Sequence, residues 1–203
     1  MSAIVVRKLF IKNEDKITST NLTCWLVSDI LFIIFENKPI KKIMIRQAII
    51  SDAAQIASIY NYYVINTIIT FEMTPVIDSV MVDKISKVTK RYPWLVYEEK
   101  GRILGYAYAT EWKPRGAYKH TVESTIYLGA NQSGKGIGSK LYSELISQLK
   151  LLNIHTIIGG IGQPNEASIA LHEKLGFQKV AHFKEIGFKF NKWVDVAYWQ
   201  LNI

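Results

Sequence analysis

The sequence predicts an α/β (α+β) domain in which helices flank a single sheet. The chain has 203 residues, which is about the length of one domain. Apolar residues make up 49% and charged residues 21%, so the chain can bury a core and is not a disordered protein, a coiled coil or a collagen. Segments with strand-like and helix-like spacing follow one another without an internal repeat, which is typical of a three-layer α/β domain.

The first predicted elements lead from Met44 to a hairpin. Segment 44–49 predicts a short strand, and Ser51-Asp52 predicts the cap of the helix that follows. A second helix is predicted over 78–90, where valine and isoleucine recur at helical spacing. Alternating β-branched and aromatic residues predict a hairpin over 94–109, with its turn at 99–102.

The second half of the chain predicts three more strands and two helices. A glycine-rich turn is predicted to run directly into the first of these helices, and Gly176 is predicted to close the second. The elements in order are a strand over 120–128, the turn and helix over 130–152, a buried strand over 154–161, a helix over 165–177 and a last strand over 189–203.

Residues 1–43 are predicted to be an N-terminal extension of unknown role, because a polar break with a proline precedes Met44. The extension is an added hairpin or helix, or it reflects a start codon placed ahead of Met44. Its apolar stretch, 22–35, has 14 residues and contains Asp29, whereas a bilayer span needs about 20 apolar residues. We predict neither a span nor a signal peptide, which favours the cytoplasm.

The charge and the cysteine count limit the classes of partner. The formal net charge is +8, which attracts anionic ligands, nucleic acids or membranes. No run of Lys and Arg exceeds two residues, so we expect neither a nucleic-acid nor a membrane partner. Cys24 is the single cysteine, and the four histidines are scattered. The sequence therefore predicts no disulfide framework and no metal.

The glycine-rich segment 133–139 is the first candidate site. Glycines let the backbone approach a ligand closely, and the first amides of a helix have no partner within the helix. Those amides lie at the positive end of the helix dipole, so the segment suits a phosphate group. It is not a Walker loop, because no Gly-Lys-Ser/Thr closes it. An ordinary turn from strand to helix is the alternative.

Several segments together resemble one family. VESTIYL, the glycine loop and GQPNEASIALHEKLGF resemble the GNAT acetyltransferases. RYPWLVYEEKGRILGYAYATEWKPRGAYKHTVESTIYL and GFKFNKWVDVAYWQLNI narrow the resemblance to the phosphinothricin and methionine sulfoximine N-acetyltransferases. It covers residues 44–203, which we predict to be the GNAT domain. It implies a mixed, mostly antiparallel sheet in which two central parallel strands splay apart.

The same resemblance implies a reaction and a cofactor. Acetyl-CoA would give its acetyl group to the α-amino group of a small amino-acid-like substrate, and the protein would form a homodimer. A GNAT enzyme for another amine, such as a protein N-terminus, a polyamine or an aminoglycoside, is an alternative. A CoA-binding module without catalysis is a weaker alternative, because Glu123 and His172 are retained.

The resemblance also implies the site residues. Glu123 would be the general base, unless it is a solvated strand residue. His172 would be an acid, a second base or a structural residue. A backbone amide of 126–128 would stabilise the oxyanion. The cofactor residues implied are Ile126, Tyr127, Leu128, Gly134, Lys135, Gly136, Ile137, Gly138, Ser139, Asn165 and Ser168.

Substrate recognition is expected from the loop after the hairpin. Arg115 suits a carboxylate because its guanidinium donates two parallel hydrogen bonds, although an ordinary basic surface loop is the alternative. The family usually has Gln or Arg where this chain has Ser133, so we expect weakened CoA binding. The substrate-binding residues implied are Lys113, Pro114, Arg115, Glu123, Ser124 and Thr125, with Phe71, Glu72 and Trp112 as further walls of the pocket.

Overall fold

A computed structural model describes residues 43–203. The predicted extension, its apolar stretch and Cys24 lie outside the described residues. Two 3-10 turns, Ile50–Asp52 and Gly116–Tyr118, supplement the main elements. The strands and helices are β1 Ile43–Gln47, α1 Ala53–Asn66, α2 Asp78–Thr89, β2 Trp94–Glu99, β3 Arg102–Glu111, β4 Thr121–Leu128, α3 Ile137–Leu151, β5 Thr156–Gly162, α4 Glu166–Lys174, β6 Gln178–Lys189 and β7 Lys192–Asn202.

The described strands form one seven-stranded sheet in the order β1-β2-β3-β4-β5-β7-β6. All neighbouring pairs are antiparallel except β4 and β5, which are parallel. The mixed, mostly antiparallel sheet predicted from the sequence is therefore confirmed. The parallel pair lies at the centre, with an antiparallel neighbour on each side.

Helices cover both faces of the sheet. Tyr60 of α1 contacts the ring of Tyr127 on β4, and Lys84 of α2 lies over the ring of Tyr108 on β3. Tyr142 of α3 bonds Ser124 of β4 instead. Because successive side chains of a strand point to opposite faces, α1 and α2 lie on the face of residue 127 and α3 lies on the other.

The predicted hairpin of β2 and β3 is confirmed, and the backbone conformation of its turn explains why the chain reverses at this point. Lys100 and Gly101 both have positive φ, 54° and 76°. Two consecutive left-handed residues make the tight turn whose twist matches that of paired strands. Gly176, at φ +90°, confirms the predicted end of α4.

Asp52 precedes α1 as predicted, but its side chain does not cap the helix. The side chain of Asp52 makes no capping hydrogen bond to α1. Its carboxylate instead accepts hydrogen bonds from the Arg46 guanidinium, at 2.6 and 2.9 Å, and from the Ile49 amide. Asp52 is buried, so the ion pair with Arg46 satisfies a charge that would otherwise be costly.

The end of the sheet also differs from the prediction. The last strand was expected to begin at Lys189, but that residue ends β6, and β7 begins at Lys192. β6 itself does not follow from the sequence pattern. Its register with β7 shifts between 179 and 181 and again between 183 and 187, so its apolar residues lose the alternation by which a strand is recognised.

Candidate active site

The central feature of the site is a gap between β4 and β5. The two strands pair only from Thr121 to Glu123, opposite Thr156 to Ile158. Beyond Glu123, β4 continues to pair with β3 as far as Leu128, while β5 pairs with β7. Beyond Glu123, β4 therefore stays paired with β3 and β5 stays paired with β7, but β4 and β5 no longer pair with each other. The splayed parallel pair implied by the family resemblance is present.

Backbone groups of β4 face this gap. The Gly129 amide donates to Leu104, and the Thr121 carbonyl accepts from Trp112, so the odd-numbered residues of β4 bond towards β3. Successive residues of a strand alternate in the direction of their backbone groups. The amide of Ile126 therefore points towards β5, where the strands have parted. The gap offers a donor to an extended ligand, as an added strand would find at a sheet edge.

A cavity of about 230 Å³, here called the cleft cavity, opens in this gap. β4 contributes residues 123–127 to its wall, and β5 contributes residues 160–162. Segment 69–71, which connects α1 to α2, closes one side, and His172 of α4 closes another. Of the three further walls expected, Phe71 lines the cavity, whereas Glu72 and Trp112 do not.

Glu123 occupies the last paired position of β4, at the mouth of the gap. Its carboxylate lines the cleft cavity and makes no hydrogen bond within residues 43–203. Burial raises the pKa of Glu123, and the nearby charge of Lys113 opposes that rise. A carboxylate with a raised pKa and no internal partner is suited to accept a proton.

His172 is 3% exposed and lies in a chain of buried hydrogen bonds. Its Nδ1 lies 2.7 Å from the carbonyl oxygen of Ser168, which can only accept, so Nδ1 carries the proton. Burial lowers the pKa of His172, although the bond to the Ser168 carbonyl opposes that effect. The ring is therefore neutral, and its Nε2 accepts from the hydroxyl of Tyr142 at 3.0 Å.

Tyr142 extends the chain to the wall of the cleft cavity. Its hydroxyl lies 2.5 Å from Oγ of Ser124, which also lies 3.1 Å from the Ile158 carbonyl. Both Tyr142 and Ser124 are buried. Gly159 makes room for the imidazole, since a Cβ there would lie 2.5 Å from Nε2 of His172. Sequence reasoning missed Tyr142, because it lies within the regular apolar pattern of α3.

The glycine loop forms a second cavity of about 350 Å³, here called the loop cavity. Ser133, Gly134 and Gly136 line it together with the first turn of α3, and Ala167 and Ala170 of α4 form the opposite wall. Leu128 lines this cavity, and its neighbour Tyr127 lines the cleft cavity, so β4 connects the two. Sequence reasoning missed the wall from α4, although its small residues three apart were the available signal.

The loop itself has the conformation that glycine favours. Gly134 and Gly136 both have φ 76°, and Gly136 is the residue before α3. No side chain caps that helix, so its first amides are available to a ligand. Lys135 lies on the exposed side and donates to Gln132 at 3.1 Å. Ile137 is buried in the core, so only its backbone can serve a ligand.

The other expected residues lie in two places, the cleft cavity and the exposed loop after β3. Asn165 and Ser168 line the cleft cavity, and the Asn165 side chain caps α4 by accepting from the Ser168 amide at 3.2 Å. Thr125 lines the same cavity. Lys113, Pro114 and Arg115 are exposed and lie outside its wall. Their role in binding substrate stays a prediction.

Two further kinds of feature are absent from the described residues. Residues 43–203 contain no group of three or more His, Cys, Asp or Glu side chains placed to hold a metal ion. No helix in the part of the chain that the structure describes is long and apolar enough to cross a membrane.

Similar proteins are known by sequence. A phosphinothricin N-acetyltransferase from Streptomyces viridochromogenes is 36% identical over 165 residues, which cover 81% of this chain and 88% of that protein. An L-methionine sulfoximine/L-methionine sulfone acetyltransferase from Salmonella typhimurium is 36% identical over 160 residues, which cover 78% of this chain and 94% of that protein.

Solved structures of acetyltransferases also match this chain. A GNAT superfamily phosphinothricin acetyltransferase from Sinorhizobium meliloti, in complex with AcCoA, matches with a TM-score of 0.76 and 38% identity, covering 79% of this chain and 88% of that one. An N-acetyltransferase from Staphylococcus aureus matches with a TM-score of 0.77 and 35% identity, covering 79% and 98%. Residues 45–198 also match the family described as acetyltransferase (GNAT) domain. Since that match reaches all seven strands, the chain belongs to the GNAT family, as an acetyl-CoA-dependent N-acetyltransferase of the phosphinothricin and methionine sulfoximine group.

Proposed function

We propose that this enzyme acetylates the α-amino group of a small amino-acid-like substrate of the phosphinothricin, methionine sulfoximine or methionine sulfone type. The observation that carries the proposal is the position of Glu123, which lies at the mouth of the gap with its carboxylate in the cleft cavity. Acetyl-CoA supplies the activated acetyl group. The chain's own residues have to hold it, orient the amine and move protons.

Glu123 is the proposed general base. An amine attacks a thioester only in its neutral form, whereas the amine of an amino acid is largely protonated near neutral pH. The raised pKa of Glu123 brings this carboxylate closer to the pKa of the amine, which favours proton transfer. We infer that Glu123 takes the ammonium proton, directly or through one water.

Backbone groups hold the acetyl donor in this proposal. The Ile126 amide would donate to the acetyl oxygen, where negative charge develops during the reaction. The helix start at Gly136 and the loop cavity suit a diphosphate, because free amides and the helix dipole both favour an anion. Since these donors are amides, Ser133 would weaken the binding of CoA without abolishing it.

The acceptor is proposed to be an amino acid because the mouth of the site is basic. Lys113 lies close enough to Glu123 to oppose the rise in its pKa. Arg115 has no ion pair within residues 43–203, so its guanidinium is available to a carboxylate. A polyamine or an aminoglycoside is cationic and would be repelled by these two side chains. The relatives named above act on amino-acid analogues.

The test is a panel of acceptors assayed with acetyl-CoA, with free thiol release as the readout. We expect turnover with phosphinothricin, methionine sulfoximine or methionine sulfone, and at least tenfold lower kcat/KM with spermidine, kanamycin and a peptide bearing a free N-terminus. Preference for any of the last three would replace this proposal by a GNAT enzyme for another amine. Binding of CoA without turnover on any acceptor would support the non-catalytic module.

We also propose that the enzyme is a cytoplasmic homodimer. Six large apolar residues of β6 and β7 and the turn between them are exposed in the described structure, and such patches mark interfaces in soluble proteins. Phe188 and Trp193 pair across the two strands, with ring centroids 5.0 Å apart. The six residues, here called the hairpin patch, are Val180, Phe183, Ile186, Phe188, Phe190 and Trp193.

A further inference from the structure

The buried chain of hydrogen bonds behind the cleft cavity has no role in the proposal above. It begins at Ser124 on the cavity wall and ends at the Ser168 carbonyl. It contains a phenol and an imidazole, both buried and both able to pass a proton. A buried network of this kind is costly unless every member is satisfied, and here each member has a partner.

The direction of the two bonds made by His172 follows from chemistry. The Ser168 carbonyl can only accept, so His172 donates through Nδ1 and accepts through Nε2. Tyr142 therefore donates its hydroxyl proton to Nε2 at 3.0 Å. Ser124 Oγ has one proton and two acceptors within reach, the Ile158 carbonyl at 3.1 Å and the Tyr142 oxygen at 2.5 Å, which can accept because its own proton goes to Nε2. When the Ser124 proton lies on the shorter of its two contacts, the donors run in one direction, from Ser124 through Tyr142 and His172 to Ser168.

The basic nitrogen of the imidazole already has a partner in the wall of the cavity. Nε2 faces Tyr142 inside the wall, and the whole residue is 3% exposed. A path from Nε2 towards the cleft cavity runs through Tyr142 and then Ser124, which is one of the residues of the cavity wall. His172, which is itself part of the cavity wall, can therefore exchange protons with a bound ligand through these two hydroxyl groups.

Amide formation requires one proton to move. The nitrogen–carbon bond forms, the carbon–sulfur bond breaks, the nitrogen loses a proton and the sulfur gains one. Glu123 takes the earlier ammonium proton, which it releases to solvent before the next turnover, and it lies on the opposite face of β4 from Ser124. A second group is therefore needed that can take a proton from the nitrogen and return it to the sulfur within one turnover.

We propose that Ser124, Tyr142 and His172 form a proton wire that carries this proton from the amine nitrogen to the thiol sulfur. Ser124 Oγ accepts the proton while its own passes to Tyr142, and the phenol proton passes to Nε2 of His172. The imidazolium then donates to Tyr142 and to the Ser168 carbonyl, so both of its N–H groups remain bonded. The reverse sequence delivers the proton to sulfur and restores the neutral ring.

Tyr142 stays a neutral phenol throughout, since it donates one proton as it accepts another. Burial raises the pKa of Tyr142, which makes a phenolate intermediate unfavourable and a concerted exchange the suitable path. Ser124 and His172 sit at the two ends of the wire. Tyr142 acts through them and is a positioning residue.

The first test is a double-mutant cycle of Ser124→Ala and His172→Gln, which rests on the proposed function because it measures turnover. Each single variant should lower kcat about tenfold to a hundredfold and leave the KM for acetyl-CoA within about twofold. The double variant should be no slower than the slower single variant, because the loss of either residue already prevents proton transfer along the whole chain. Independent effects that multiply in the double variant would overturn the wire.

Two further variants guard against a trivial result. Tyr142→Phe keeps the ring that stacks on Phe177 at 5.4 Å and should match Ser124→Ala in kcat. Ser143→Ala makes the same change as Ser124→Ala one residue beyond Tyr142, on the exposed side of α3, and should keep the activity of the unmodified enzyme. Full activity in both Ser124→Ala and Tyr142→Phe would also overturn the wire.

The second test needs no turnover. Nitrogen NMR of the enzyme with labelled histidine should show His172 as a neutral ring with the proton on Nδ1 and a hydrogen-bonded Nε2. In Tyr142→Phe, the Nε2 signal should move towards that of a free acceptor. A proton on Nε2 in the unmodified enzyme would overturn the wire. If that enzyme acetylates no amine, the proposed function fails and the wire fails with it, whereas an active enzyme with a proton on Nε2 would overturn the wire alone.

Discussion

At the scale of single residues, function depends on where β4 places Glu123. The strand still pairs with β5 at this position, so the backbone is fixed, while the side chain already faces the cavity that opens beyond it. Burial raises the pKa of the carboxyl group, and Lys113 opposes the rise. Those two effects set the pH range over which Glu123 can serve as a base.

The pH dependence of kcat follows from this arrangement. A base must be ionised to accept a proton, so kcat should fall as the pH drops through the raised pKa of Glu123. Replacing Lys113 removes the charge that opposes the rise, so Lys113→Gln should move this fall to higher pH. A pH profile of thiol release checks it, with Lys119→Gln, on the same exposed loop, as the matched control.

Two outcomes of that profile would contradict the account. In Glu123→Gln, kcat should be about a hundredfold lower and should no longer decrease as the pH drops. If the fall persists in Glu123→Gln, another group is the base. If Lys113→Gln moves the fall to lower pH, the charge of Lys113 does not act on Glu123.

Arg115 carries the prediction about the acceptor. A guanidinium that binds a carboxylate by two hydrogen bonds contributes about 1.5–3 kcal/mol, so Arg115→Ala should raise the acceptor KM about tenfold to a hundredfold. The KM for acetyl-CoA should stay unchanged, and Tyr118→Ala, on the same exposed loop, is the control for loop disorder. A fall in kcat alone would show that Arg115 does not bind the carboxylate.

At the scale of elements, the glycine loop and the start of α3 form the part that suits a diphosphate. Gly136 has φ 76°, and an added Cβ would meet nothing within 4 Å. A substitution there is therefore opposed by backbone strain alone, since an L-residue in the left-handed region costs about 1–2 kcal/mol. The loop would relieve this strain by changing its shape, which displaces the free amides at the helix start.

Gly136→Ala should accordingly raise the dissociation constant of CoA at least tenfold and lower the free energy of unfolding by about 1–2 kcal/mol. Calorimetric titration and thermal unfolding measure the two effects. Gly116→Ala is the matched control, because a Cβ there also meets nothing within 4 Å and its φ is not positive. Unchanged CoA affinity in Gly136→Ala would remove the loop from the binding site.

Elements with local signals could be predicted, and elements set by distant contacts could not. The turn at Lys100 and Gly101 follows from a short polar sequence with a glycine, and the glycine loop follows in the same way. β6 could not be predicted, because its two register shifts depend on its pairing with β7. The bond of Asp52 to Arg46 joins β1 to the turn before α1, and no local pattern indicates it.

At the scale of the whole molecule, the gap between β4 and β5 combines contributions from distant segments. β4, β5, segment 69–71 and His172 meet only in the folded chain. Periodicity predicts the strands but not their parting, which the sequence indicates only through its family resemblance. The family resemblance implies Ser124 and His172 as site residues, but no sequence signal connects them, because Tyr142 has the pattern of an ordinary core residue of α3.

The proposed homodimer depends on the hairpin patch. Trp193 is 62% exposed, so a charge at this position should leave the fold intact and disrupt an interface that covers it. Light scattering should give twice the mass of the chain for the unmodified enzyme and the mass of one chain for Trp193→Glu. Leu151→Glu, at an 82% exposed site on α3, should remain a dimer. A monomeric unmodified enzyme would contradict the proposal.

The most direct test of the account is to identify the product formed from acetyl-CoA and methionine sulfone. Carbon-labelled acetyl-CoA allows the new bond to be located by NMR, with Glu123→Gln as the matched control. The account predicts an acetamide on the α-nitrogen, formed stoichiometrically with free thiol and about a hundredfold more slowly by the variant. Acetyl transfer to another atom, no product at all, or equal rates for the two proteins would contradict it.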